Sequence, residues 1–176
     1  MPLVKPILYL ICFLTTVTSC KTPVQEQSPG PDLRYKESFL ETNKYIRKRH
    51  RDHMIAFMQR ASWDMTETPT GLWYMILEEG QGERIREDKL VRYSFETKLI
   101  NGKLCYYADN NQPKSIVVGK GNIEAGLEEG LLLLKEGSKA RFLIPPYLAH
   151  GNFGDREKIP GSAILIIEVD ILEVKR

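Results

Sequence analysis

Residues 140–174, ARFLIPPYLAHGNFGDREKIPGSAILIIEVDILEV, decide the fold. They hold two strand patterns. Ala140–Ile144 is a short apolar run. Ala163–Val174 puts Ala163, Leu165, Ile167, Val169 and Ile171 on one face, at the two-residue period of a pleated strand. Toward the N-terminus, residues 123–135 (IEAGLEEGLLLLK) read as a helix despite two glycines, and Ser115–Val118 reads as a short strand. Residues 90–100 (LVRYSFETKLI) alternate, with Val91, Tyr93 and Phe95 on one side. Asn101-Gly102 is a strong hairpin signal leading into Lys103–Tyr107. Leu72–Leu77 (LWYMIL) is a further β-rich run. About five strands with one short helix imply an α+β architecture, an antiparallel curved sheet wrapped on that helix.

A second helical pattern precedes the sheet, from about Tyr35 to Ser62. Ser38 and Glu41 have capping-box spacing, and Phe39, Ile46, Met54, Phe57, Met58 and Ala61 recur on one helical face. The pattern leaves open whether this is one helix or two. Its basic run, Arg47-Lys48-Arg49-His50-Arg51, reads either as a contact for anionic lipid head groups or, with more weight, as a solvated face. His50 and His53 are three apart, but no Cys or acidic pair completes a metal site. Residues 21–34 (KTPVQEQSPGPDLR) are rich in proline and polar groups and read as a linker.

The 176 residues fit one domain plus attachments, and 42% hydrophobic residues suffice for a core. A net charge of +2 gives no electrostatic case for nucleic acid. Lys5 and the apolar run Ile7–Val17 suit a secretion signal and are too short to span a membrane. Val17-Thr18-Ser19-Cys20 resembles the bacterial lipobox, which makes Cys20 the acylated N-terminus of the mature chain. With Cys12 removed and Cys20 modified, Cys105 is left without an intramolecular partner.

From about Thr70 onward the chain resembles the FKBP family of peptidyl-prolyl isomerases. The resemblance rests on Thr70–Tyr74 with Gly80-Gln81-Gly82, on Asn101-Gly102-Lys103, on Gly126–Leu131, on Ile144–Gly151 (IPPYLAHG) and on Ile159–Leu165 (IPGSAIL), in that order. The lipobox, the basic helical segment and Gly154–Ile159 are also similar to FKBP-like lipoproteins associated with gliding motility. The resulting division is a lipoprotein signal at 1–19, Cys20 and a flexible linker at 20–34, a helical segment at 35–65, and an isomerase domain at 66–176.

The resemblance implies a cell-envelope enzyme that rotates X–Pro bonds of exported polypeptides in an apolar pocket, with no metal and no cofactor. It implies catalytic roles for His150 and Tyr106, and substrate contacts from Tyr93, Phe95, Cys105, Ile123, Glu124, Leu127, Ile159 and Ile167. The usual pocket aspartate is replaced, since its pair reads Cys105-Tyr106. Its tyrosine partner corresponds to Phe95 or Tyr93, so both halves of that hydrogen bond are expected to be lost together. Asp109 is a candidate replacement acid. A nucleophilic Cys105–His150 pair lacks an orienting acid, and Cys105 reads better as a small buried hydrophobe. His150 stands in for a donor tyrosine, with a surface-turn role equally weighted. The alternatives are a catalytically weak chaperone or scaffold of an envelope machine, and a purely structural lipoprotein. The expected partners are proline-containing exported chains and a membrane held through Cys20, on the periplasmic side, with the N-terminal helix offering a surface for a homodimer.

Overall fold

A computed structural model describes residues 33–175; the leader, Cys20 and the linker up to residue 32 lie outside the described residues. The described residues open with one continuous helix, α1 (Leu33–Ala61). Seven strands follow: β1 (Thr66–Glu67), β2 (Trp73–Glu78), β3 (Leu90–Leu99), β4 (Leu104–Ala108), β5 (Lys114–Val117), β6 (Lys139–Ile144) and β7 (Leu165–Lys175). A short helix α2 (Ala125–Leu131) lies between β5 and β6. The sheet order is β1-β2-β6-β7-β3-β4, with β5 also on β3, and every pairing is antiparallel. The long β3 serves two neighbours in turn: Leu90–Tyr93 pair with β5, and Phe95–Lys98 pair with β4.

The alternation read from the sequence sorts the strands into two apolar layers. Phe142 and Ile144 of β6, with Leu165, Ile167, Val169 and Ile171 of β7, join Leu127 and Leu131 of α2 in the main core. The intervening Leu143, Ile164 and Ile166 point to the other side and meet Met54 and Met58 of α1. Both faces of the central strands are therefore covered, each by a helix. From Leu40 onward α1 belongs to the same compact unit as the sheet.

Three expectations change. Ser38 does not cap α1, because the helix is already under way at Leu33, inside the stretch read as linker. The helix read over 123–135 is only the seven residues of α2: Glu124 is still extended, and tighter bonds, Leu133 N–H to Gly130 O and Leu134 N–H to Leu131 O, end it. The two glycines in α2 have a packing cause. A Cβ on Gly130 would lie 2.6 Å from the Phe142 ring, and one on Gly126 would lie 2.5 Å from the Ile144 side chain.

Most of the basic run on α1 is engaged inside the molecule. Arg51 forms a forked pair with Glu67 (2.6–3.1 Å), Lys48 pairs with Asp52 (2.6 Å), and the Arg47 guanidinium lies 4.4 Å from the centre of the Tyr147 ring. Among the described residues no helix is long and apolar enough to cross a membrane.

Candidate active site

The paired ends of β3 and β4, the 119–124 loop and the start of α2 enclose a cavity of about 680 Å³. Its remaining wall comes from the segment after β6. The lining contains Phe95 and Thr97 of β3, Tyr106 and Tyr107 of β4, Lys114, Asn122, Ile123, Glu124, Leu127 of α2, Ala149, His150, Asp155 and Glu157. Of the ten side chains expected at the site, six meet here: Phe95, Tyr106, Ile123, Glu124, Leu127 and His150.

The other four do not line it. Ile159 and Ile167 are buried in the main core. Cys105 is also buried there, its thiol facing the backbone carbonyls of Lys103 and Lys158 at 3.8 and 3.6 Å. Tyr93 is 0% exposed and stacks at a tilt on Phe95, with ring centres 5.8 Å apart.

The buried Tyr93 hydroxyl has no hydrogen-bond partner among the described residues. Burial, and then the nearby Glu124 carboxylate, push its ionisation well above the ordinary tyrosine value. A buried unpaired hydroxyl costs about 1–3 kcal/mol. Tyr93→Phe is therefore expected to leave stability unchanged or to raise it by about 1 kcal/mol, read from chemical denaturation; a loss above about 1 kcal/mol would mean that the hydroxyl has a partner in solution.

The acid of the site comes from the loop between β6 and β7. Asp109 lies outside the cavity, where Oδ1 accepts the N–H groups of Asn111 and Gln112 within its own turn. Asp155 takes the place instead: the Tyr106 hydroxyl donates to Asp155 Oδ2 at 2.5 Å. Asp155 Oδ1 accepts the N–H groups of Glu157 and Ile159, both at 2.8 Å. One carboxylate thus ties β4 to the 151–163 loop. The sequence carries no local signal for this contact, since 49 residues separate the partners.

The charge state follows from these bonds. Partial burial alone would raise the Asp155 carboxyl, but the hydrogen bonds from Tyr106 and from the backbone at 157–159 outweigh it and bring it down to about 2. In turn, the bond to Asp155, then burial, raise Tyr106, which stays a protonated donor. A carboxyl depressed from 3.8 stabilises the fold fully above about pH 4, and this contribution is lost as pH falls through about 2. The melting-temperature gap between wild type and Asp155→Asn should therefore be constant above about pH 4 and narrow below it.

His150 is partly buried on the opposite wall, with Nε2 3.1 Å from Glu124 Oε1. With the proton on Nε2, the imidazole donates to that carboxylate. Among the described residues no group of three His, Cys, Asp or Glu side chains is placed to hold a metal ion.

The fold agrees with the comparisons. The family model for FKBP-type peptidyl-prolyl cis-trans isomerase matches residues 81–172, which is more than half of the chain. The chain belongs to this FKBP-type family. A "Probable FKBP-type peptidyl-prolyl cis-trans isomerase" of Haemophilus influenzae is 34% identical over 112 residues, 63% of this chain and 46% of that protein. A relative of the same description in Neisseria meningitidis is 28% identical over 137 residues, 77% of this chain and 50% of its own length. The chain thus spans about half the length of these curated FKBP-type relatives. FK506-binding protein 1A of Neurospora crassa is 35% identical over 107 residues, 60% of this chain and 89% of that protein. The crystal structure of AtFKBP13 superposes with a TM-score of 0.61 at 25% identity, over 65% of this chain and all of the other. In this FKBP-type domain the matched region runs from just after β2 almost to the end of β7 and includes every residue lining the cavity.

Proposed function

We propose that this chain is a peptidyl-prolyl cis-trans isomerase of a bacterial envelope, working on exported polypeptides held in the cavity of about 680 Å³. Family membership together with an open pocket at the ends of β3, β4 and α2 carries the reading. An X–Pro amide must rotate through a barrier of about 18–20 kcal/mol that resonance sets. Twisting removes the resonance and leaves a less polar carbonyl. A site that holds the amide against apolar side chains and away from water disfavours the planar ground state and lowers that barrier. Phe95, Ile123, Leu127 and Ala149 supply such surfaces, so no nucleophile or metal is needed in this account. The lipobox-like sequence ending at Cys20 supports a lipid anchor, with the domain facing the periplasm.

A second reading is a binding module of an envelope assembly, of gliding type or otherwise, with weak isomerase activity. One observation favours it. Tyr106 and a neutral His150 each have one polar hydrogen, and both face carboxylates, those of Asp155 and Glu124. A substrate carbonyl must then displace one of these carboxylates to take a hydrogen bond from Tyr106 or His150.

Refolding of a protein limited by X–Pro isomerisation separates the two readings, because the uncatalysed step takes tens to hundreds of seconds. The isomerase reading expects the full chain to accelerate that phase, and His150→Ala to slow it if His150 changes partner to hold the substrate. No acceleration, with client chains still bound, would favour the binding module.

A further inference from the structure

The cavity carries an excess of uncompensated negative charge. Glu124, Asp155 and Glu157 line it, against a single lining lysine, Lys114. None of the three carboxylates has a Lys or Arg ion-pair partner among the described residues; the one pairing they make is Glu124 with His150. Some carboxylates elsewhere on the surface are paired, although Asp64, Glu87 and Asp109 are exposed without such a pair among the described residues. Glu41, Asp52, Glu67, Glu78, Glu79 and Asp88 each hold a lysine or arginine at 2.6–2.9 Å.

The cations nearest the cavity are turned to aromatic rings instead. Lys114 Nζ lies 5.5 Å from the Phe95 ring centre, and Lys158 Nζ lies 4.8 Å from that of Tyr106. Asp155 keeps its charge, because Tyr106 and the backbone N–H groups that bond to it are neutral donors. Glu157 is exposed at the rim, and its carboxylate is 3.2 Å from the same Tyr106 hydroxyl.

We propose that the cavity selects prolyl segments that carry lysine or arginine beside the proline. This rests on the reading of the cavity as an X–Pro site and adds the class of substrate it takes. A cation on the neighbouring residue finds Glu157 and Asp155 at the rim without first breaking an ion pair, whereas an acidic neighbour meets like charge. The preference is electrostatic, so it weakens as salt shortens the Debye length from about 30 Å at 0.01 M to about 3 Å at 1 M.

The test uses the full chain and three peptides differing only before proline, as Lys-Pro, Leu-Pro and Glu-Pro. Binding and cis–trans exchange are both read by NMR at about pH 8, where an ordinary histidine is neutral. The expected affinity order is Lys, Leu, Glu, with roughly a tenfold span at about 0.01 M salt that shrinks toward unity at about 1 M. Glu157→Lys should reverse the order of the Lys and Glu peptides, while Glu41→Lys on α1 should leave their ratio as in wild type. Lys and Glu peptides within about twofold of each other at low salt, or a ratio untouched by Glu157→Lys, would overturn the proposal. If the Leu peptide is bound and isomerised but charge makes no difference, the isomerase reading stands and this inference falls. If no peptide binds, both fall.

Discussion

Asp155→Ala should lower kcat/KM toward an X–Pro peptide by about tenfold to a hundredfold, the scale expected when a binding wall shifts by about 1 Å. The argument starts from how the 151–163 loop is held. Asp155 Oδ2 takes the Tyr106 hydroxyl, and Oδ1 takes two backbone N–H groups of its own loop. The loop is also closed by backbone bonds from Asp155 N–H to Ile159 O and from Ser162 N–H to Gly151 O. It turns at Gly154, where φ is +67° and a Cβ would come within 2.1 Å of the Ile159 carbonyl. Removing the carboxylate leaves those backbone bonds and the buried Ile159 in place, so the domain stays folded. What is lost is the tie between the loop and β4, the tie that sets the width of the cavity. Asp155→Asn keeps an acceptor oxygen and should fall between alanine and wild type. Steady-state kinetics beside a thermal melt checks both points; unchanged kcat/KM in a folded Asp155→Ala protein would show that this wall is not used.

The largest loss of stability is expected from Phe142→Ala. Phe142 is 0% exposed on β6, a strand flanked on both sides by β2 and β7. Its ring fills the space left by the missing side chain of Gly130 on α2. Deleting a fully buried phenylalanine costs about 3–5 kcal/mol, through lost transfer energy and a cavity that the surroundings only partly refill. In a chain of this size that lowers the melting temperature by roughly 6–20 °C. A loss below about 1 kcal/mol would mean that α2 collapses onto β6 far more readily than the packed interface suggests.

The strands from β2 to β7 were legible because each sends side chains toward the main core. β7 is the clearest case: Leu165, Ile167, Val169 and Ile171 point into the main core, just as the alternation places them. The family motifs located Tyr106, Leu127 and His150, since each motif is local in sequence. The role of α1 was harder to read. Met54 and Met58 pack on the sheet, while Leu40 and Tyr45 remain 49% and 63% exposed, so its apolar stripe breaks off midway.

The acid of the site was not legible at all. The sequence suggested Asp109, three residues beyond Tyr106, but that side chain is taken up by its own turn. Asp155 reaches Tyr106 only because the loop between β6 and β7 folds back over β4, a tertiary contact with no sequence period. Cys105 was read both as a substrate contact and as a small buried hydrophobe, and its 3% exposure in the main core fits the second. Motif position put it beside Tyr106 at the site, whereas the fold turns its thiol inward toward the Lys158 carbonyl.

The most direct test of the central claim is the cis–trans exchange rate of a Leu-Pro peptide, measured by NMR with the full chain and with Ile123→Arg. Ile123 lines the cavity and is only partly buried, so an arginine there obstructs the site without emptying the core. Exchange is otherwise slow, on the order of tens to hundreds of seconds. The account predicts clear acceleration by the wild-type chain and its loss in the folded variant. Equal rates with the two proteins, or no acceleration by either, would contradict it.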